Sequence, residues 1–278
     1  MAQICVLTSA ARVADDVIAM AATALGGTPR RLSPHAVEIP MTPGATPPDI
    51  AGTDVNVVPA RNRVKRVFLA DMDSTMISVE CIDELADFAG QKARVAAITE
   101  RAMQGELDFA GALRERVALL AGVTLADVEA CYQARVMPNP GAAELVQGMN
   151  EAGAMTALVS GGFTVFTGRV ASRLGFQMNR ANVLEFDGDV LTGRVVGPIV
   201  SGATKLETLN ELVAERGVTQ ADVIAVGDGA NDSAMVAAAG LGVAYCAKPA
   251  LRDVADAVLD HSDLTALLAL QGLSSTAP

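Results

Sequence analysis

An apolar run ends abruptly in two carboxylates in the stretch VFLADMDST, Val67 to Thr75. Asp71 and Asp73 leave the carboxyl end of a predicted strand two positions apart, so the following turn can present both in the crevice above a sheet. A strand-end turn with two solvated acids is the simpler interpretation. Phosphoryl transfer needs such a pair, with one carboxylate as nucleophile and a second acid to protonate the departing alkoxide.

Further short apolar runs predict more strands of the same kind. The predicted strands are Val67–Asp71, Met155–Ser160, Val223–Gly227 and Leu241–Cys246, and the predicted helices are Asn139–Ala152, Phe163–Leu174, Ala203–Arg216 and Ala230–Ala239. Short, continuously apolar strands are typical of a parallel sheet with helices on both faces. The order of elements therefore predicts an α/β fold with a doubly wound core. The alternation in Val183–Val196 around Asp187-Gly188 predicts a hairpin.

The pattern divides the chain into three parts. Residues 1–63 are predicted to form a small N-terminal α+β unit, with a strand at Gln3–Thr8, a helix at Ala11–Leu25 and then proline-rich extended segments. Residues 64–78 and 152–278 are predicted to form the catalytic core. A crossover between parallel strands needs only one helix, so the helical patterns within 79–151 predict an inserted cap. In that segment Thr124 and Asp127 have the spacing of a capping box.

The charge and composition of the chain argue against several classes of function. The chain carries 21 Lys and Arg against 32 Asp and Glu, a net charge of −11 that argues against binding nucleic acid or an anionic membrane. No apolar run approaches the ~18 residues that span a bilayer, and the N-terminus lacks the pattern of a signal peptide, so we expect a cytoplasmic protein. The four cysteines are scattered and predict reduced thiols rather than a zinc site.

Two further motifs could hold a phosphate. In LVSGGF, Leu158 to Phe163, the glycines let a phosphate approach Ser160 and the backbone of Gly161 closely. Lys205 stands at the start of a predicted helix, where acids are preferred, and a bound anion would explain it. Neither motif is specific alone, because glycine turns and surface lysines are both common.

The last motif is VIAVGDGANDSAM, Val223 to Met235. It places Asp228 after a third strand and Asn231 and Asp232 at the start of the next helix. Several acids in one crevice repel each other unless a cation compensates, and hard oxygen ligands favour magnesium over zinc. A helix-capping cluster without metal is the alternative.

Together these motifs resemble those of the haloacid dehalogenase (HAD) superfamily over Val64 to Leu270. More narrowly, the chain is similar to the phosphoserine phosphatase family through DMDSTMISVECIDELADFAG (Asp71–Gly90), FAGALRERVALLAG (Phe109–Gly122), LVSGGF and VGDGANDSAM. The resemblance implies magnesium-dependent hydrolysis of O-phosphoserine through an aspartyl phosphate, as the last step of serine biosynthesis.

The resemblance also implies roles for single residues. Asp71 would be the nucleophile and Asp73 the general acid and base. Magnesium would be held by Asp71, Asp228 and the backbone carbonyl of Asp73, with Asp232 supporting these ligands. In the substrate site, Glu80 would meet the ammonium and Arg116 the carboxylate, and the phosphate and the rest of the substrate would contact Ser160, Gly161, Lys205, Asn231 and Phe109.

Other interpretations stay open at this stage. Arg114, Glu115 and Arg116 could form a solvated helix face, and Glu80 could be an ordinary acidic helix start. The enzyme could act on another small phosphate ester or transfer the phosphoryl group to an alcohol such as homoserine. A regulatory protein without activity is the alternative from another class. The resemblance further suggests a homodimer and a degenerate amino-acid-binding unit of the ACT type at residues 1–63.

Overall fold

The computed structural model describes residues 2–104 and 106–274. The N-terminal elements are β1 (Gln3–Thr8), α1 (Asp15–Leu25), β2 (Arg30–Ser33), β3 (Ala36–Pro40) and β4 (Asp54–Pro59). The next strand and the helices after it are β5 (Val67–Ala70), α2 (Cys81–Phe88), α3 (Lys92–Met103), α4 (Phe109–Ala118), α5 (Leu125–Arg135) and α6 (Ala142–Glu151). The remaining elements are β6 (Met155–Phe163), α7 (Thr164–Leu174), β7 (Met178–Asp187), β8 (Val190–Val196), α8 (Gly202–Arg216), β9 (Val223–Gly227), α9 (Ser233–Ala238), β10 (Leu241–Tyr245), α10 (Pro249–Arg252), β11 (Ala257–Leu259) and α11 (Ala266–Leu270).

The central sheet has the strand order β11-β10-β9-β5-β6-β7-β8. Its paired strands are parallel except for the antiparallel β7–β8 hairpin. Strand β5 lies between β6 and β9, and Ala70 at its end is level with Leu158 and Val226 of these neighbours. The predicted α/β doubly wound core and the hairpin are confirmed. Because β5 has parallel neighbours on both sides, the carboxyl ends of three strands meet at one edge.

Helices α2 to α5 form a cap that joins the core through a paired neck. The chain enters near Ile77 and leaves near Pro138, and these two residues form an antiparallel bridge. The side chain of Asn139 donates hydrogen bonds to the carbonyls of Thr75 and Ile77. The capping box of Thr124 and Asp127 is present at the start of α5. These contacts hold the start of the cap close to the carboxyl end of β5.

Helix α6 lies within the segment 79–151 that the sequence assigned to the cap. It packs against β6, α7 and α11, and buries Leu145, Val146 and Met149. It begins three residues later than predicted, because Gly141 adopts a left-handed conformation (φ 79°) after Pro140. These contacts favour a cap that ends after α5, with α6 as the crossover helix of the core.

The N-terminal unit has a four-stranded antiparallel sheet in the order β2-β3-β1-β4. It is docked on the core through β4. The Asn56 side chain accepts a hydrogen bond from the Val258 N–H and donates one to the Val258 carbonyl, as a neighbouring strand would. Buried Asp54 accepts hydrogen bonds from the backbone N–H groups of Asp260 and His261 and from the Ser262 hydroxyl. The edge of β11 is therefore covered by side chains of the N-terminal unit.

A buried ion pair strengthens this docking. Arg63 Nη1 lies 2.6 Å from Glu38 Oε2, and the same guanidinium donates to the carbonyls of Ala269 and Leu270 at the end of α11. Burial opposes ionisation of Glu38, but hydrogen bonds and charges from Arg63 and Arg30 outweigh it and lower the pKa of Glu38 below its usual value. The basic stretch 61–66 thus includes groups that tie the linker to the core.

We expect Glu38→Gln to lower the free energy of unfolding at pH 7 by about 1.5–3 kcal/mol, the usual worth of a hydrogen bond to a charged group. A lowered folded-state pKa stabilises the protein above the unfolded pKa, and this contribution is lost as pH falls through the folded pKa. The difference between variant and wild type should therefore shrink as pH falls below the unfolded pKa of a glutamate, about 4.3, and vanish once pH is below the lowered folded pKa. Urea unfolding at pH 7 and at low pH measures it. Glu185→Gln, at the exposed pair with Arg194, is the control; an equal loss there would contradict the prediction.

None of the helices within residues 2–104 and 106–274 has the length and apolar character needed to cross a membrane. All four cysteines are free thiols; Cys5, Cys81 and Cys131 are buried, and Cys246 is exposed.

Candidate active site

The carboxyl ends of β5, β6 and β9 bring the predicted motifs together. Asp71 follows β5, Ser160 lies near the end of β6, and Asp228 follows β9. All three residues are buried, and the most exposed of them, Asp228, is 8% exposed. The strand register places them at the same edge because Ala70 is level with both Leu158 and Val226.

The two oxygens of the Asp71 carboxylate differ in their contacts. Oδ1 lies 2.7 Å from Lys205 Nζ and accepts a 2.7 Å hydrogen bond from the Met72 N–H. Among the described residues, the hydrogen-bond contact of Oδ2 is a 3.5 Å one with the Asn231 amide. Burial, followed by repulsion from Asp232, raises the pKa of Asp71 well above its usual value, although Lys205 opposes the shift. One oxygen is thus held in place while the other is nearly unbonded.

Asp73 is held by its own set of donors. Its Oδ1 accepts a hydrogen bond from the Cys81 N–H at 3.0 Å, and its Oδ2 accepts one from the Ser160 hydroxyl at 3.0 Å. Burial and the nearby charge of Glu80 raise the pKa of Asp73 to about 6, although the Cys81 and Ser160 hydrogen bonds lower it. Asp73 therefore titrates close to neutral pH, where a carboxyl group can both donate and accept a proton.

Behind Asp71 lies a buried network of opposite charges. Lys205, only 1% exposed, places its Nζ 2.7 Å from Asp71 Oδ1 and 2.6 Å from Asp232 Oδ1. The other oxygen of Asp232 accepts the backbone N–H groups of Asp228 and Gly229. Both oxygens of Asp232 are thus already engaged.

Three acids form a cluster suited to a cation. Asp71, Asp228 and Asp232 each offer a carboxylate oxygen within 4.8 Å of the others. Burial and repulsion from Asp232 and Glu80 raise the pKa of Asp228 to about 6, against the opposing charge of Lys248. Clustered buried carboxylates are costly without compensation, and a hard cation would supply it.

Above these residues lies a cavity of about 340 Å³ between core and cap. Its size falls in the range of about 300–1,000 Å³ that is common for small-molecule sites. Lys205 and Asp232 do not line the cavity and stand behind it. The predicted site residues that line it are Asp71, Asp73, Glu80, Phe109, Arg116, Ser160, Gly161, Asp228 and Asn231.

Three of the predicted site residues that line the cavity come from the cap: Glu80, Arg116 and Phe109. Glu80 precedes α2 and accepts a hydrogen bond from the Ser74 hydroxyl. Arg116 is half-buried in the cavity wall, whereas its neighbours Arg114 and Glu115 are exposed, so the solvated helix face does not include Arg116. Burial lowers the pKa of Arg116 somewhat, against the charges of Asp83 and Glu80. The Phe109 ring approaches the Gly161 backbone across the cavity.

Two glycines are needed for these close approaches. A Cβ on Gly162 would lie 2.7 Å from Asp73 Oδ2, and one on Gly227 would lie 2.3 Å from the Asp232 carboxyl carbon. Side chains there would displace both acids. The glycines of these two motifs therefore leave the space in which the carboxylates of Asp73 and Asp232 pack against the backbone.

Sequence reasoning missed several residues at the cavity. Thr75 donates a hydrogen bond from its hydroxyl to Asp228 Oδ1, and the motif DMDST contained the signal for it. Thr75 is fully buried next to the cavity and is not part of its wall. The residues of the cavity wall that sequence reasoning missed are Ile82, Asp83, Thr99, Leu113 and Lys248. Ile82, Asp83 and Leu113 lie within the two stretches that carry the family resemblance, but no residue type there indicates contact with the cavity. Thr99 and Lys248 lie outside every quoted motif, and only the fold brings them to the cavity.

The fold and site define a doubly wound α/β protein with a capped, acidic centre at the topological switch point of its sheet. The chain belongs to the haloacid dehalogenase-like hydrolases, whose family model matches residues 68–237.

Among curated proteins, a phosphoserine phosphatase of Albidiferax ferrireducens is 52% identical over 205 residues, which cover 72% of this chain and 86% of the relative. Among solved structures, a HAD family hydrolase from Salmonella enterica serovar Typhi matches 97% of this chain and 98% of its own, with a TM-score of 0.86 and 27% identity. A phosphoserine phosphatase with an analogue of its phospho-aspartyl intermediate matches 74% of this chain and 98% of its own, with a TM-score of 0.68 and 38% identity.

Proposed function

We propose that this protein is a phosphoserine phosphatase, which hydrolyses O-phosphoserine to serine and phosphate as the last step of serine biosynthesis. The observation that carries the proposal is the presence of Glu80 and Arg116 in the same cavity as Asp71 and Asp73. The names of the relatives point to the same substrate. A cytoplasmic location, expected from the sequence pattern, and a homodimer, suggested by the family resemblance, are further parts of the proposal.

Asp71 attacks phosphorus and becomes the aspartyl phosphate. Its Oδ1 is fixed by Lys205 and the Met72 N–H, which leaves Oδ2 as the attacking oxygen. A nucleophile held by donors on one oxygen keeps its direction while the other oxygen reacts. Lys205 offsets negative charge as the phosphate comes close.

Asp73 protonates the serine oxygen as the ester bond breaks, and then takes a proton from the attacking water. Its pKa of about 6 suits both steps near neutral pH. Ser160 holds one of its oxygens and the Cys81 N–H holds the other, so the carboxyl group cannot turn away from the substrate.

The donor set fits magnesium. Asp71 and Asp228 offer carboxylate oxygens at the cavity, and the backbone carbonyl of Asp73 would complete the protein ligands. Asp232 acts behind them, which agrees with its engagement by Lys205 and two backbone N–H groups. Bound magnesium would supply charge neutralisation for the phosphoryl oxygens. The backbone of Gly161 and the Asn231 amide would bind these oxygens from the other sides. The Ser160 hydroxyl has one proton, which it donates to Asp73, so it would bind a phosphoryl oxygen by turning that proton from Asp73 to the phosphate.

The cap selects the substrate. O-Phosphoserine carries an ammonium and a carboxylate beyond its phosphate, and Glu80 and Arg116 complement these two charges. The Phe109 ring closes the cavity over them and excludes water during phosphoryl transfer.

The test is phosphate release from O-phospho-L-serine beside phosphothreonine and a panel of sugar phosphates, with magnesium and then with EDTA. We expect strong, magnesium-dependent preference for phosphoserine. Preference for a sugar phosphate would refute the substrate, and phosphoryl transfer to added homoserine in place of hydrolysis would refute the reaction.

Arg116→Ala provides a sharper prediction about selectivity. It should lower kcat/KM for phosphoserine about 10- to 150-fold, the equivalent of a charged hydrogen bond. O-Phosphoethanolamine lacks the carboxylate, so Arg116 has no group to bind in this substrate. The variant should therefore keep kcat/KM for O-phosphoethanolamine within about threefold of the wild-type value. Arg114→Ala, at the exposed neighbour, is the matched control. Equal losses with both substrates would show that Arg116 does not bind the carboxylate.

A further inference from the structure

A lysine outside the predicted motifs stands at the mouth of the cavity. Lys248 is exposed and lines the core side of the cavity with Asp71, Asp73 and Asp228. Among the described residues of the cavity wall, the basic ones are Lys248 and Arg116, and Arg116 belongs to the cap. Lys205 is enclosed between Asp71 and Asp232. Lys248 is therefore the basic group of the core that an arriving anion meets.

The backbone around Lys248 is held in place. Its N–H donates to the carbonyl of Asp228 at 2.8 Å, which ties it to the acidic cluster. Two residues earlier, Cys246 adopts a left-handed conformation (φ 45°) and donates its N–H to the Leu259 carbonyl. Pro249 follows directly and begins α10. The backbone of Lys248 is thus held in place beside the cavity.

The Lys248 ammonium is free to act on a ligand. It forms no salt bridge within the part of the chain that the structure describes, and its charge acts on Asp228 from a distance. Because its backbone is held in place and its four-carbon side chain is flexible, Lys248 can keep its ammonium close to an anion that enters the cavity.

The negative charge around the cavity favours a role for an exposed cation at its entrance. The whole chain has a net charge of −11, and the mouth also carries Glu80 and Asp83. An ester with a phosphate dianion is repelled by this surface, and one exposed cation beside the entrance raises its local concentration.

We propose that Lys248 is a substrate-binding residue that captures the phosphoryl group of the entering ester and holds the phosphate product before it leaves. The inference rests on the proposed function, since it assigns the phosphate a path along the core side of the cavity.

The test compares Lys248→Gln with Lys92→Gln, which removes the same charge from an exposed position on α3 outside the cavity wall. At low ionic strength we expect Lys248→Gln to lower kcat/KM for phosphoserine about 5- to 20-fold and to weaken inhibition by inorganic phosphate similarly, with kcat within about twofold. The loss should shrink at high salt, where charges are screened. Lys248→Arg should restore most of it. Lys92→Gln should behave as wild type.

Two results would overturn the inference. One is the same kcat/KM and phosphate inhibition in both glutamine variants at low salt; the other is a loss that appears in kcat alone and does not depend on salt. If the wild type fails to hydrolyse phosphoserine, the proposed function fails separately. Calorimetric titration with inorganic phosphate then decides: weaker binding by Lys248→Gln than by Lys92→Gln supports the inference, and equal binding contradicts it.

Discussion

Asp71→Asn should reduce phosphate release from O-phosphoserine by at least about 10⁴-fold, because an amide cannot form the acyl phosphate. The fold should survive the change. Asparagine has nearly the same volume, its oxygen can still accept the Met72 N–H, and Lys205 keeps its pair with Asp232. Loss of one acid from a crowded buried cluster also relieves repulsion, so the free energy of unfolding without metal should fall by no more than about 1 kcal/mol.

Steady-state assays with magnesium and urea unfolding without it measure the two effects. Asp87→Asn is the matched control and should retain activity, because Asp87 is a half-buried residue of α2 outside the cavity wall. Clear turnover by Asp71→Asn would remove Asp71 from the role of nucleophile.

Lys205→Met should affect both stability and activity. Lys205 is buried between two carboxylates, whose charges outweigh the effect of burial and hold its pKa above the usual value. Removing the ammonium leaves Asp71 and Asp232 without their partner, so we expect a loss of about 3–5 kcal/mol in the free energy of unfolding without metal. Turnover should fall by about 10²- to 10³-fold or more, as for the loss of a group that stabilises transition-state charge.

Magnesium provides a second readout for this variant. The cluster of Lys205→Met carries one more uncompensated negative charge, so added magnesium should raise its melting temperature more than that of the wild type. Lys65→Met is the control, because Lys65 is also buried but donates only to the carbonyls of Asn62 and Ala221. It should lose stability, gain nothing extra from magnesium and keep its kcat. Matching behaviour of the two variants would show that Lys205 has no special role at the site.

The sequence predicted the core well because its signals are local. Strand β9 has its predicted bounds, and β5 ends one residue earlier than predicted, directly before Asp71. Strand order could be expected only from the fold class, yet the acids after these strands sufficed to predict one crevice. The exposure of Arg114 and the burial of Arg116 could not be predicted, because both stand in the same helical turn and only the packing of the cap separates them.

Contacts between distant parts of the chain were beyond sequence reasoning. Asn56 bonds to Val258, 202 residues away, and Arg63 bonds to Ala269, 206 residues away. No local pattern marks such partners. Helix α1 begins at Asp15 and not at Ala11, because the Val13 N–H donates to the Pro34 carbonyl and the Val13 carbonyl accepts from Arg31. Lys248 escaped notice for the same reason: its place depends on the position of β10 beside β9.

In the proposed reaction, Asp71 carries the phosphoryl group of phosphoserine during turnover. We would mix enzyme, magnesium and O-phospho-L-serine for a single turnover, quench in acid, reduce the acyl phosphate with borohydride and sequence the peptides by mass spectrometry. We expect conversion of Asp71 to homoserine, dependent on both substrate and magnesium, with Asp73 and Asp228 unchanged. Phosphate release without any reduction at Asp71, or reduction at another carboxylate, would contradict it.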